Sequence, residues 1–342
     1  MTQDEAVSMV PSMKNLVSIL TLFVICLMPQ SLIGSQVEDG YEEIDSPKRY
    51  FPFSGRPKKN TPAGQLDYAH MLADKKKVGK AIRQYRALVL RWPALTEAGI
   101  AQYELAKLLE KKKRYHQATE AYEYLLEHYA GMIPYNEVLN RLFAMGEKLA
   151  QERKGTFLIF KGISAPERAI PIFELIVRYA PEWEQSAEIQ YRIGRIQQKN
   201  HEYELAIDAY TDVQFRHPSS TWTEDASMYK AECLYLLSEE SPQNQDKAED
   251  VWVELTLFLT NYPDSGYQEL AYKYKEKIRK RRAKLAYEKA YFYDTIQSRP
   301  EAALRAYTSF VEEFPHSEWT DVAQLRIHAL SDSVKGSHSK QD

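Results

Sequence analysis

The chain has 342 residues, with Lys+Arg 45 against Asp+Glu 48, a net charge of −3, 44% hydrophobic and 27% charged residues. Such a composition is globular, and the length suffices for one elongated domain or two compact ones. Its 13 Gly fall well below the usual ~7%, which disfavours hairpin-rich sandwiches and phosphate-cradling loops; its two Cys exclude a disulfide framework or a zinc cluster. The charge balance gives no footprint for nucleic acid. What asks for an explanation is the excess of 24 Tyr.

In chain order, Lys14 precedes an apolar run from Leu16 to Met28 that Pro29 ends. The run is shorter than the ~20 residues that span a bilayer and has the form of a secretory h-region. Residues 1–35 are therefore expected to be a removable signal peptide. Asp4 and Glu5 make a poor start for one, so Met13 is an alternative initiator. Leu32-Ile33-Gly34-Ser35 has the shape of a lipoprotein signal, except that Ser35 stands where the lipid-bearing Cys would be. The expectation is an exported protein whose lipid anchor is in doubt: cleaved near Gly34 or Ser35 and soluble, or held by partners. Residues 36–64, with Glu38, Asp39, Glu42, Glu43, Asp45 and Pro47, Pro52, Pro57 and Pro62, read as an extended tether. Residues 331–342 are polar and aperiodic and read as a frayed, disordered tail.

Between tether and tail the apolar spacing is helical throughout, and it repeats. Phrases of one form end at Pro93, Pro181, Pro218, Pro263 and Pro315; a sixth, Tyr122 to Ala130, lacks the Pro. An aromatic or Leu lies eight residues before each stop, and four residues earlier comes a small or branched residue: Ala81, Ala118, Ala169, Ala206, Val251 or Ala303. Twelve residues further back stand Ala69, Ala106 and Gly194. Two antiparallel helices approach closely where both present a small residue, the aromatic fills the groove beside that contact, and Pro stops the second helix. Tyr85, Tyr122, Tyr210 and Tyr307 are thus expected to be packing residues. Small-x11-small-x3-aromatic-x7-Pro resembles the tetratricopeptide (TPR) pattern. The resemblance implies an all-α, TPR-like α-solenoid of five to six antiparallel helix hairpins in a right-handed superhelix, with N-terminal repeats over 65–221 and C-terminal repeats over 222–330. Two hairpins are stretched. An insert at 154–164, apolar at Phe157, Leu158, Ile159, Phe160 and Ile163, either folds back or faces a partner, and Ser238–Gln245 reads as a polar loop.

Phosphate-loop, His-Glu-x-x-His, Cys-x-x-Cys and Gly-x-Ser-x-Gly motifs are all missing. His116 and Glu120 read as a solvated helix pair, Cys233 as a small buried hydrophobe. No catalysis and no cofactor are expected. The one dense charge run gathers Lys273, Lys277, Lys280, Arg281 and Lys284 on one helical side, above a buried face assigned to Tyr272, Tyr274, Ile278 and Leu285. It reads as a solvated face or as a docking surface for an acidic partner or anionic lipid headgroups.

That basic helix leads into Leu285-Ala286-Tyr287-Glu288-Lys289-Ala290-Tyr291-Phe292-Tyr293 and closes on Phe314-Pro315-His316-Ser317. Together with the degenerate repeats, it resembles the BamD/ComL family of outer-membrane assembly factors. The resemblance implies a non-catalytic envelope scaffold at the periplasmic face of the outer membrane. Its partners would be a barrel-forming assembly subunit and unfolded outer-membrane proteins, with peripheral membrane contact and no nucleic acid. Ser35 favours the alternative of a soluble periplasmic adaptor for cell-division, peptidoglycan or pilus machinery. With the small residue of the first helix as position 8, positions 5 and 9 of the groove face give Leu66, Tyr103, Phe143 and Tyr191, and His70, Lys107, Glu147 and Arg195. Aromatics beside charged groups suit an extended peptide, so Tyr103, Lys107, Phe143, Glu147, Tyr191 and Arg195 are the expected groove.

Overall fold

The computed structural model describes residues 55–154 and 163–338; the expected signal peptide, most of the tether and the middle of the insert lie outside the described residues. Among the described residues, thirteen α-helices follow one another, the first twelve as antiparallel pairs: α1 (Pro62–Asp74) with α2 (Val78–Arg91), α3 (Thr96–Lys111) with α4 (Tyr115–Tyr129), α5 (Tyr135–Gln151) with α6 (Ile170–Tyr179), α7 (Ser186–Lys199) with α8 (Tyr203–Arg216), α9 (Trp222–Glu240) with α10 (Gln245–Asn261), and α11 (Gln268–Tyr291) with α12 (Pro300–Glu313). α13 (Thr320–His338) packs on α12. The molecule is the all-α, TPR-like solenoid that the repeat implies, with six hairpins and a thirteenth helix.

The seam is built as the spacing predicts. Ala69, Ala81, Ala106, Ala118, Ala206 and Ala303 are fully buried, and so, to 1% or less, are Tyr85, Tyr122, Tyr210 and Tyr307. Gly194 shows why the site is small: a Cβ there would lie 2.6 Å from Cε1 of Tyr210, and Gly146 stands likewise against Phe173. The choice of Tyr over Phe also has a cause. Tyr122 donates its hydroxyl to Glu110 Oε2 (2.7 Å), Tyr210 to Gln198 Oε1 (2.8 Å) and Tyr307 to Asp294 Oδ2 (3.4 Å). In each hairpin the acceptor lies four residues after the small residue of the first helix. Phe173 stands where that position is Ala150, so no acceptor is there to meet a hydroxyl. A buried phenol without an acceptor is costly, and these three hairpins meet that cost; Tyr85 differs, because the same position after Ala69 is Ala73.

The stops are equally local. α2, α6, α8, α10 and α12 all end two residues before a Pro, with Trp92, Ala180, His217, Tyr262 and Phe314 near φ −130° and ψ 60°. Pro denies the preceding residue the α region. α4 lacks the Pro; Ala130 remains helical and the chain runs on in a 3₁₀ turn, Ala130–Met132. The Pro-x-Ser phrase makes the next corner: Ser220, Ser265 and Ser317 accept from the backbone N–H of Trp222, Tyr267 and Trp319, two residues on.

Three sequence readings differ from the structure. Ser238–Gln245 is not one loop: α9 runs through Glu240 and α10 starts at Gln245, capped by Asn244, so the extra residues lengthen both helices. They stay helical because Ser238 is buried and its hydroxyl is tied to Tyr235 O and Arg281. α13 continues to His338, past residue 331 where the tail was expected, and α1 opens at Pro62, inside the expected tether, since Pro is favoured in a first helical turn. At the insert, Arg153–Lys154 (β1) pairs antiparallel with Ile163–Ser164 (β2), and whether the residues between fold back lies outside the described residues.

Candidate functional site

The expected groove residues sit on the first helices of successive hairpins, half-buried rather than free. Tyr103 and Lys107 meet on α3, with Lys107 Nζ 4.3 Å from the ring centroid and 2.7 Å from Glu104. Phe143 and Glu147 of α5 converge on one cation of α7: the Arg192 guanidinium lies 5.6 Å from the Phe143 ring and pairs with Glu147. Tyr191 of α7 stacks on Trp222 at 4.9 Å, and Arg195 lies 3.7 Å over the ring of Tyr229, both partners on α9. Leu66 is buried on α1, and His70 meets Tyr85 edge-on at 5.6 Å. Burial raises the Tyr191 phenol to about 12.

These contacts make a continuous seam across α3, α5, α7, α9 and α11. Arg141 of α5 reaches back to Glu110 at 3.3 Å, and the neighbouring Tyr103 hydroxyl and Arg141 hold the Glu137 carboxyl below its usual range. Gln198 donates to Glu232 at 2.8 Å, and Glu232 also accepts from Tyr274 of α11 at 3.0 Å. Tyr235 stacks on Tyr274 at 4.4 Å. Positions 5 and 9 thus capture only part of the face. Glu188, Arg192 and Arg195, and likewise Asp225, Tyr229 and Glu232, follow one another at spacings of four and three, and that helical spacing is the signal that finds the rest.

The basic helix divides. Lys273, Lys277, Lys280 and Lys284 are exposed on one side, and Lys277 reaches the Tyr235 hydroxyl at 3.3 Å. Arg281 turns inward to Ser238 and Glu239 on α9. Arg282 pairs at 2.7 Å with both Glu249 of α10 and Glu313 of α12. α11 is shared by two cores: Ala271 and Ile278 pack with α9 and α10, Ala283 and Ala290 with α12 and α13. The buried face therefore rotates along the helix. Ile278 is buried, whereas Tyr272, placed on the buried face by the sequence reading, is 58% exposed.

Among the described residues no group of three or more His, Cys, Asp or Glu is placed to hold a metal, and no helix is long and apolar enough to cross a membrane. His116 and Glu120 form an exposed pair at 3.5 Å. Cys233 is fully buried, and burial pushes its thiol up to about 12.

No family model matches the chain, and no curated protein does. Solved structures that it resembles include YrrB, described as a TPR protein with an unusual peptide-binding site (17% identity, 62% of this chain, 90% of that one, TM-score 0.26). Others are the apo form of the quorum sensor NprR from B. thuringiensis (14%, 85% and 81%, TM-score 0.30) and a tetratricopeptide repeat protein from Parabacteroides merdae (13%, 79% and 98%, TM-score 0.26). At these identities and scores the fold rests on the chain's own packing. That packing is of the TPR type: small residues facing across each pair, an aromatic on the seam and a Pro stop.

Proposed function

We propose that this chain is a non-catalytic scaffold that holds an extended polypeptide along the first-helix seam. The observation that carries the reading is the continuous row of aromatic and charged side chains from Tyr103 to Tyr274, most of them held by contacts within their helix or with a neighbouring hairpin. Side chains already held in place lose little freedom on binding, which favours affinity for a flexible segment. In its finer form the reading is the one the BamD/ComL resemblance implies: an exported factor at the outer membrane that receives unfolded outer-membrane proteins and holds a barrel-forming subunit. Ser35 in the lipid-bearing position supports a second reading, a soluble periplasmic adaptor for another envelope machine.

Two measurements test this. The full chain should bind a labelled, unstructured segment rich in aromatic residues, and Arg195→Ala should weaken that binding about tenfold while helicity and thermal midpoint stay close to the parent. Unchanged affinity would remove the seam from the function. Co-purification from detergent-solubilised envelopes should recover a barrel-forming subunit. Release by osmotic shock, without detergent and alone, would favour the soluble adaptor.

A further inference from the structure

The turns joining α1 to α2 and α3 to α4 carry a charge cluster that the seam does not use. Lys75, Lys76, Lys77, Lys80 and Arg83 come from the first turn, and Lys111, Lys112, Lys113 and Arg114 from the second; all are exposed. None has a carboxylate within ion-pair distance among the described residues, although most other described Arg residues do. No Asp or Glu occurs between Lys75 and Thr96 to offset them, although the chain as a whole is net negative. The later turns lack this character: their corresponding left-handed residues are His201 and Ser298, where these two have Lys76 and Lys113.

Helix dipoles account for part of the cluster only. Lys75 and Lys111–Lys112 sit at the C-terminal ends of α1 and α3, where cations are favoured. Lys77, Lys80 and Arg114 sit at the N-terminal ends of α2 and α4, where the dipole opposes them. The two turns border an open cleft of about 600 Å³, lined by Lys76, Lys77, Lys80, Arg83, Lys112 and Arg114 around Gly79. Neither helix has a side-chain cap, and a Cβ at Gly79 would meet nothing within 4 Å, so the first turn of α2 is open to a ligand. We propose that this cleft is a docking site for an acidic stretch of a partner protein, separate from the seam.

A protein segment fits better than a bilayer because an extended chain can follow the open cleft along both turns and meet cations of each. The large exposed apolar side chains nearest in sequence, Met71 and Leu95, are outside the two turns, so nothing on them would insert into lipid. An extended acidic chain, by contrast, can place successive carboxylates against ammonium groups of both turns and against the uncapped N–H groups of Val78 and Gly79.

The test uses the full chain and a labelled poly-glutamate peptide of about 12 residues, roughly 40 Å when extended. Binding should be measurable at about 0.05 M salt and fall steeply by about 0.5 M. The variant K76Q/K77Q/K80Q, all on exposed residues, should weaken it about tenfold, as three exposed charge pairs of ordinary strength would. Lys277→Gln with Lys284→Gln on α11, and Arg195→Ala in the seam, should leave it unchanged. Loss in the α11 variant with none in the turn variant overturns the proposal. So does turn-dependent binding of vesicles containing about one-third phosphatidylglycerol, or of single-stranded DNA, in preference to the peptide. Because the seam has its own variant and ligand, failure of either site leaves the other standing.

Discussion

Hairpins α7–α8 and α11–α12 present the same packing contact with a different count of residues. In the first, Gly194 and Ala206 are twelve apart and His201 makes the turn at φ 62°; in the second, Ala290 and Ala303 are thirteen apart and Ser298 turns at φ 49°. The extra residue is taken up by a π turn over Phe292–Ile296, a place where one residue can be added without leaving the helix. What stays fixed is the meeting of small residue, seam tyrosine and acceptor, Tyr210 with Gln198 and Tyr307 with Asp294. The seam sets the register and the connection adapts to it. The same holds where the chain adds more: α9 and α10 each extend, and the insert after α5 opens as a two-stranded ladder.

The largest expected effect acts on every seam at once. Burial raises the phenols of Tyr85, Tyr122, Tyr129, Tyr210, Tyr267, Tyr274 and Tyr307 above the ordinary 10.0. Groups whose pKa is raised in the folded chain contribute stability that is whole below the unfolded value near 10.0 and is lost as pH climbs from there through the raised folded value. Alkaline titration should therefore leave a fraction of the 24 tyrosines un-ionised until far-ultraviolet ellipticity collapses, and the two signals should change together. Smooth ionisation of all tyrosines with helicity intact would contradict the buried seam.

A smaller effect separates the two hairpins. Gly194→Val drives a branched side chain into the Tyr210 ring and should cost about 2–3 kcal/mol, read as a lower denaturant midpoint. The reverse change in the other hairpin, Ala290→Gly, removes one methyl and adds backbone freedom, for about 1 kcal/mol. Equal losses would mean that the close approach at Gly194 is not what demands its size. The smallest effect tests the hydroxyls. Tyr210→Phe should cost about 1 kcal/mol, because Gln198 loses a partner at 2.8 Å. Tyr307→Phe should cost less, because its bond to Asp294 is 3.4 Å and Asp294 keeps both contacts with Arg326 at 2.8 Å. A larger loss at Tyr307 would reverse the ranking.

The repeat was legible because each of its signals is local. Pro93 or Pro218 stops a helix by the geometry of its own ring, and Ala206 and Tyr210 share a face by helical spacing alone. The α4 ending shows the converse, since a phrase without Pro runs on into Ala130. The candidate seam was legible only in part. Positions 5 and 9 select Tyr191 and Arg195, but nothing in the local pattern says that Trp222 and Tyr229 of the next hairpin will cover them. Arg281 and Lys280 are neighbours in one basic run; one faces α9 and the other water because two cores claim different faces of α11.

By itself, the sequence determined the helical repeat, the stops at Pro, the small and aromatic residues that pack each hairpin and the solenoid class, because spacing along one chain fixes which side chains share a face. Only the tertiary structure decided which cations are engaged and which are free, how far α9 and α10 extend, and that the lysines of two successive turns border one cleft. Those outcomes depend on residues distant in sequence, and burial, pairing and desolvation act through space rather than along the chain.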